Sequence, residues 1–348
     1  MISNKIYLFH QKIISSQSPD YFILLIRGLL YILSIAYLLI SQIRAYCYKK
    51  KIFKTHIIKR PVIAVGNISV GGTGKSPFCI ELIQMCLHRQ ILPGLVSRGY
   101  GNDESKIYQN RFPDLPMGFS GNRVKSCNDL ILLQPAISIF ILDDAFQHQK
   151  IHRNVNILLI NANDPFGHHF CLPRGFLRES LSAMNRASII ILTHADEINA
   201  IEKKTIIETI HSFTVKNISI IEATHEPDYF LSPNGEKIQF AQFSKLGISQ
   251  IALLCGIAQP AGFVNTLKKC HVIGNKFFFY ADHYQYLSND FKIIAKERKS
   301  FDCLITTEKD IVKIPLDIIK ELNIYTLVMK MHLSESEKIM DLIKEAIQ

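Results

Sequence analysis

Residues 61–88 read PVIAVGNISVGGTGKSPFCIELIQMCLH: a β-branched apolar run, a glycine loop and an apolar helical stretch in direct succession. This order is what a phosphate-binding loop requires. Gly71, Gly72 and Gly74 free the backbone so that N–H groups turn inward around phosphate oxygens, and the helix N-terminus adds its dipole. Lys75 is placed to reach the β- and γ-phosphates as a point charge, and Ser76 to set its hydroxyl on a magnesium ion. Pro77 suits the first helical turn, where no N–H is needed. The general loop pattern begins with glycine, and this chain has Ser69 there. The nucleotide-binding candidates are therefore Ser69, Val70, Gly71, Gly72, Thr73, Gly74, Lys75 and Ser76.

Working outward, such a loop needs an acidic residue at the end of a neighbouring strand to hold the magnesium shell. SIFILDDAFQH offers Asp143 and Asp144 directly after four apolar residues. Gln147 and His148 follow, available to orient a phosphate or a hydroxyl, or to lie on the surface. Further short apolar runs at 91–97, 155–161, 188–194, 250–256, 301–307 and 324–330 alternate with helical stretches. Near-continuous apolar strands between helices predict a parallel sheet covered on both faces, an α/β doubly wound fold of the P-loop type. Residues 222–247 read as a connection between lobes. The expected organisation is an anchoring segment over 1–60, a P-loop core over 61–222 and a smaller second lobe over 223–348.

Residues 21–40, YFILLIRGLLYILSIAYLLI, are apolar around nearly every face over about the length a bilayer-spanning helix needs. A basic run follows, from Arg44 through Lys49, Lys50, Lys51 and Lys54 to Arg60, and positive charge beside an apolar segment stays cytoplasmic. Spanning and monotopic insertion are equally compatible with this pattern. The formal net charge of +10 favours phosphate-bearing partners or reflects a lysine-rich solvated face. The 8 cysteines are scattered without CxxC pairs, as in reduced cytosolic chains, and no histidine cluster has zinc-ligand spacing. THAD at 193–196 resembles a guanine-reading motif, but His194 stands where lysine is required.

The motifs, taken in order, resemble the tetraacyldisaccharide 4'-kinases of lipid A biosynthesis. VGNISVGGTGKSP (65–77), SRGYG (97–101), DDAFQH (143–148) and LPRGFLRE (172–179) carry the resemblance in the first half. LLCGIAQPAGF (253–263), ADHYQY (281–286) and TEKDIVKI (307–314) continue it. That family carries a small hydroxyl residue at the position of Ser69. The resemblance implies transfer of the γ-phosphate of ATP to the 4'-hydroxyl of a tetraacyldisaccharide 1-phosphate, at the cytoplasmic face of the bacterial inner membrane. ATP and Mg2+ are the implied cofactors. The lipid disaccharide and inner-membrane lipids are the implied partners, and nucleic acid is not expected. Basic residues including Arg98, Arg123, Arg174 and Arg178 are available to the acidic lipid.

By the same resemblance Arg178 stands beside the ATP phosphates and Glu179 beside the metal, joining Ser76, Asp143 and Asp144. The family reads LPAGPLRE at this point, so Arg174 and Phe176 are departures. A Gly-Asp-Glu-Pro segment of the family supplies a catalytic aspartate, and an Asp-His-x-x-Tyr segment supplies a histidine. These map to Asp103 and His283, with Lys75 the third catalytic candidate. The segment ahead of Asp103 is shorter than the family's, and Ser105 replaces the proline.

Overall fold

The computed structural model describes residues 21–348 apart from Tyr100, Gly101, Lys216, Ala258, Gln259 and His283. The fold is α/β, built on mostly parallel strands between helices. The chain divides into two compact units, the first Met1–Tyr100, Asp114–Thr224 and Met331–Gln348, the second Gly101–Pro113 and His225–Lys330.

In the first unit, helix α1 (Tyr21–Lys49) precedes β1 (Val62–Asn67), α2 (Lys75–His88) and β2 (Pro93–Ser97). After α3 (Asn102–Arg111), which belongs to the second unit, come β3 (Met117–Phe119), α4 (Arg123–Leu133), β4 (Ile139–Leu142), β5 (Val155–Asn161), β6 (Ile189–Thr193) and α5 (Ala200–Phe213). Strand β7 (Ile220–Leu231) starts in this unit and continues into the second. The strand order is β7-β6-β5-β1-β4-β2-β3, parallel throughout. Every residue of β1 and of β4 is buried, which explains their unbroken apolar sequences. Alternate side chains serve opposite faces. Val62, Ala64, Phe140 and Leu142 pack with Cys127 on α4, while Leu158, Ile160, Ile190 and Leu192 pack with Ile206 and Ile210 on α5. Because β1 lies between β4 and β5, the strand order reverses there, and the loop leaving β1 opens into the crevice where such sheets bind ligands.

Helix α1 is long and apolar enough to cross a membrane, by length and composition. Ser34 is its buried residue, while Tyr37 and Leu38 lean on the β5–β6 core cluster. Most of its large apolar side chains, among them Phe22, Leu25, Ile32 and Ile40, remain exposed.

The second unit holds the rest of β7, β8 (Lys237–Ile238), α6 (Phe240–Phe243), β9 (Ile251–Cys255), α7 (Pro260–Lys269), β10 (Lys276–Phe279), α8 (Ser288–Lys296), β11 (Cys303–Thr307), α9 (Glu308–Ile311) and α10 (Leu316–Glu321). Its parallel strands run in the order β10-β9-β11-β12, where β12 spans Ile324–Leu333, and β8 pairs antiparallel with the end of β7. Phe230, Phe243, Leu253 and Tyr325 fill one core and Leu254, Phe291, Ile294 and Leu304 another. Helix α11 (Ser336–Ile347) closes the chain in the first unit. The stretch expected to be a connection, 222–247, contains the division between the units at Thr224 and His225 and carries most of β7, with β8 and α6.

Candidate active site

The glycine loop turns from β1 into α2 through two left-handed residues, Gly71 at φ 126° and Gly74 at φ 73°. A side chain at either position would strain the backbone, so glycine is required there. Three side chains pin the loop from behind. Asn67 donates to the Thr73 hydroxyl at 2.9 Å, Asn161 donates to the Gly72 carbonyl at 3.1 Å, and Thr193 donates to the Thr73 carbonyl at 3.3 Å. These anchors come from the ends of β1, β5 and β6. Composition gave no sign of them; their position at strand C-termini was the available signal.

The LPRGFLRE segment is stitched to the same loop. Val70 N–H donates to the Phe176 carbonyl and Arg178 N–H to the Ile68 carbonyl, each at 2.7 Å. A Cβ on Gly175 would stand 2.3 Å from the Phe170 carbonyl oxygen, so the tight turn requires glycine. The two departures from the family pattern sit in this turn without opening it. Phe176 is buried against His168, and the Arg174 guanidinium lies 4.8 Å from the Phe170 ring centroid.

Across the sheet, β4 delivers Asp143 and Asp144 to the same crevice. Asp143 is buried, with Cys79 Sγ 3.8 Å from its Oδ1. Asp144 adopts φ 47°, and its carboxylate meets Lys75 Nζ at 3.8 Å and Arg178 at 3.2 Å. Burial acts to raise this carboxyl, but Lys75, Arg178 and Arg123 outweigh it and hold it below the ordinary carboxylate value. Arg123, expected among residues open to an acidic lipid, is instead buried and donates to the Asp143 and Asp144 carbonyls, fixing the turn. Burial lowers its guanidinium from the ordinary arginine value. Glu179 is buried and paired with Arg186. Gln147 donates to the Asn67 carbonyl, so it braces the β1 exit. His148 carries a buried Nε2 without a hydrogen-bond partner among the described residues, and burial, reinforced by Arg123 and Arg153, pulls its imidazole down to about 4. Helix α1 reaches this region too. The Tyr37 hydroxyl donates to the Arg178 carbonyl at 3.1 Å and Arg44 to the Gln147 carbonyl at 3.0 Å.

In the second unit, Asp103 occupies the first turn of α3, where a carboxylate complements the helix dipole. Ser105 falls in the same turn, which accommodates serine and proline alike. Lys313 Nζ lies 3.7 Å from the Asp103 carboxylate. Arg111 at the other end of α3 pairs with Glu308 at 2.8 Å and donates to the Met329 carbonyl at 3.3 Å, which fixes the helix. His283 lies outside the described residues.

A phosphate loop at a topological switch point, a strand-end aspartate pair beside it and two cations converging on one of those carboxylates define a P-loop phosphotransferase. A model of the family described as Tetraacyldisaccharide-1-P 4'-kinase matches residues 26–109 and 102–348. The tetraacyldisaccharide 4'-kinase of Desulfatibacillum aliphaticivorans is 30% identical over 95% of both chains, and that of Elusimicrobium minutum 30% identical over 92% of this chain and 91% of its own. Among solved structures, LpxK of Aquifex aeolicus in complex with ATP superimposes with a TM-score of 0.75 at 26% identity, covering 93% of this chain and all of that one. The chain belongs to the tetraacyldisaccharide 4'-kinase family, the kinases of lipid A biosynthesis.

Proposed function

We propose that this enzyme binds Mg2+ and ATP on the glycine loop and phosphorylates the 4'-hydroxyl of a tetraacyldisaccharide 1-phosphate at the cytoplasmic face of the bacterial inner membrane. The observation that carries the assignment of roles is the meeting of Lys75 and Arg178 on Asp144. Both cations are already aimed at one anionic point beside the loop, so an arriving γ-phosphate exchanges with a carboxylate and no side chain has to be gathered from solvent.

The acceptor oxygen attacks the γ-phosphorus, the bond from that phosphorus to the β–γ bridging oxygen breaks, and ADP departs. Lys75 and Arg178 offset the charge that accumulates on the transferring oxygens. Asp103 takes the hydroxyl proton, with His283 orienting or charging it. Gly71 to Ser76 turn their N–H groups toward the phosphates, while the Val70 N–H, held by the Phe176 carbonyl, fixes the entry to the loop. The donor set near the loop is hydroxyl and carboxylate oxygen, which fits Mg2+. The described residues hold no group of three or more side chains that could cage a metal, as expected of an ion bound by one or two protein oxygens and nucleotide phosphates. Ser76, Asp143, Asp144 and Glu179 would hold the ion, which when bound neutralises phosphate charge.

The exposed apolar side chains of α1 and the lysines that follow it support membrane association with the basic end cytoplasmic, bringing the site to a substrate that resides among acyl chains. The test is incubation of the purified protein with labelled ATP, Mg2+ and a tetraacyldisaccharide monophosphate, followed by lipid extraction. Label in the extracted lipid is expected. Release of label only as inorganic phosphate would overturn the assignment.

A further inference from the structure

The TEKDIVKI segment has no role in the reading above, yet it builds the most enclosed charge cluster among the described residues of the second unit. Asp310 is fully buried. Its Oδ2 accepts from Gly256 N–H at 3.1 Å and from the Thr307 hydroxyl at 2.7 Å, and its Oδ1 faces Lys313 Nζ at 3.4 Å. The Lys313 side chain is 3% exposed, and its ammonium lies between Asp310 and Asp103, 3.7 Å from the latter. Thr307 caps α9 by accepting from Asp310 N–H, and Lys313 N–H donates to the Asp310 carbonyl at 3.0 Å, so backbone as well as side chain fixes the lysine stem.

A buried ion pair is costly to desolvate, and replacing the whole pair with apolar residues is often neutral for stability. Its retention calls for another contribution, and the geometry offers one. We propose that Lys313, held from behind by Asp310, is a positioning residue that aims the Asp103 carboxylate at the acceptor hydroxyl. This rests on the reading of Asp103 as the proton acceptor. Asp310 is tied to the residue that follows β9 and to the cap of α9, whereas Asp103 sits on the first turn of α3. Lys313 transfers the rigidity of the first to the second. The Gly256 backbone that donates to this carboxylate is itself closely packed. A Cβ on Gly256 would stand 3.2 Å from each of Asp310 Oδ1, the Ala281 carbonyl and Tyr284 Cβ. One buried aspartate thus holds both the lysine behind Asp103 and the backbone at the exit of β9.

The experiment is a cycle of full-length variants assayed with labelled ATP and the tetraacyldisaccharide monophosphate. Lys313→Met is expected to lower kcat by about 10²-fold, the cost of a misplaced catalytic group, with the KM for ATP unchanged. Lys313→Arg should recover part of that loss. Lys313→Met alone leaves Asp310 buried without its cation and lowers the melting temperature, so Lys313→Met is also combined with Asp310→Asn. The double variant should melt near the parent and still show the low kcat. In an Asp103→Asn background, already slow, Lys313→Met should cost nothing further. A double variant with parental kcat, or an equal loss from Lys313→Met in both backgrounds, would overturn the proposal while leaving Asp103 as the base. If Asp103→Asn itself turns over normally, the base assignment fails and this proposal falls with it.

Discussion

Lys75 Nζ stands 3.8 Å from Asp144 Oδ1, the same oxygen that Arg178 reaches at 3.2 Å. The lysine of the phosphate loop and Arg178 thus meet on one carboxylate of the aspartate pair. Replacing Lys75 by alanine removes the cation that offsets transition-state charge, a loss comparable to deleting a preorganised donor, so turnover should fall about 10²-fold or more. Steady-state phosphorylation of the lipid acceptor measures this. Near-parental activity would take the glycine loop out of the chemistry.

The second prediction concerns pH. The His148 imidazole is pulled from 6.5 down to about 4, first by burial and then by the charges of Arg123, Arg153, Arg98 and Arg44. Between those values the unfolded chain binds a proton that the folded chain refuses. Stability is therefore fully present above about pH 6.5 and declines as pH falls toward 4. His148→Gln removes this proton and should flatten the decline. Melting temperatures at about pH 7.5, 6 and 4.5 decide it. Parallel pH profiles for the two proteins would exclude His148 as the origin.

Helix α1 makes the third prediction. Exposed apolar side chains run along the helix, and in its second half Tyr37 and Arg44 also donate to the carbonyls of Arg178 and Gln147. Deleting residues 1–34 should weaken sedimentation with anionic vesicles and spare activity on detergent-dispersed substrate. Deleting 1–49 should lower that activity as well, since two hydrogen bonds worth about 1 kcal/mol each are lost beside the site. Unchanged vesicle binding after the shorter deletion would place the membrane contact on another surface.

The parts of the fold that were legible in the sequence are those where burial is two-sided. The run at 155–161 is β5 residue for residue, and 61–67 and 188–194 exceed β1 and β6 by only one or two residues, because parallel strands under helices on both faces leave no polar position to blur them. Strand β7 was missed because it is half-exposed, carries charges at Glu222, Glu226 and Asp228 and contains Pro227, which breaks the usual strand pattern. Edge strand β10, Lys276–Phe279, alternates half-buried with exposed residues and is only four long, and three-residue β3 gives periodicity nothing to act on. At the site the glycine loop and the aspartate pair announce themselves through local pattern. Asn161, Thr193 and Lys313 do not, because their partners Gly72, Thr73 and Asp103 lie far away in sequence and only the folded chain brings them together.

The last prediction tests whether Asp103 and His283 act as one unit. A carboxylate that accepts a proton from an alcohol is a weak base, and a neighbouring imidazole that orients or charges it makes the transfer efficient only while both are present. Asp103→Ala or His283→Ala alone should therefore lower kcat by about 10²- to 10⁴-fold with ATP binding intact. Once either is gone the other has nothing left to assist, so the double variant should be little slower than the poorer single one. ATP affinity, measured separately by calorimetry, guards against reading a folding defect as chemistry. Losses that multiply would mean that the two residues serve different steps. An Asp103→Ala enzyme that keeps most of its rate would shift the search for the base to Asp144, whose carboxylate is freed from Lys75 and Arg178 when a phosphate takes their charge.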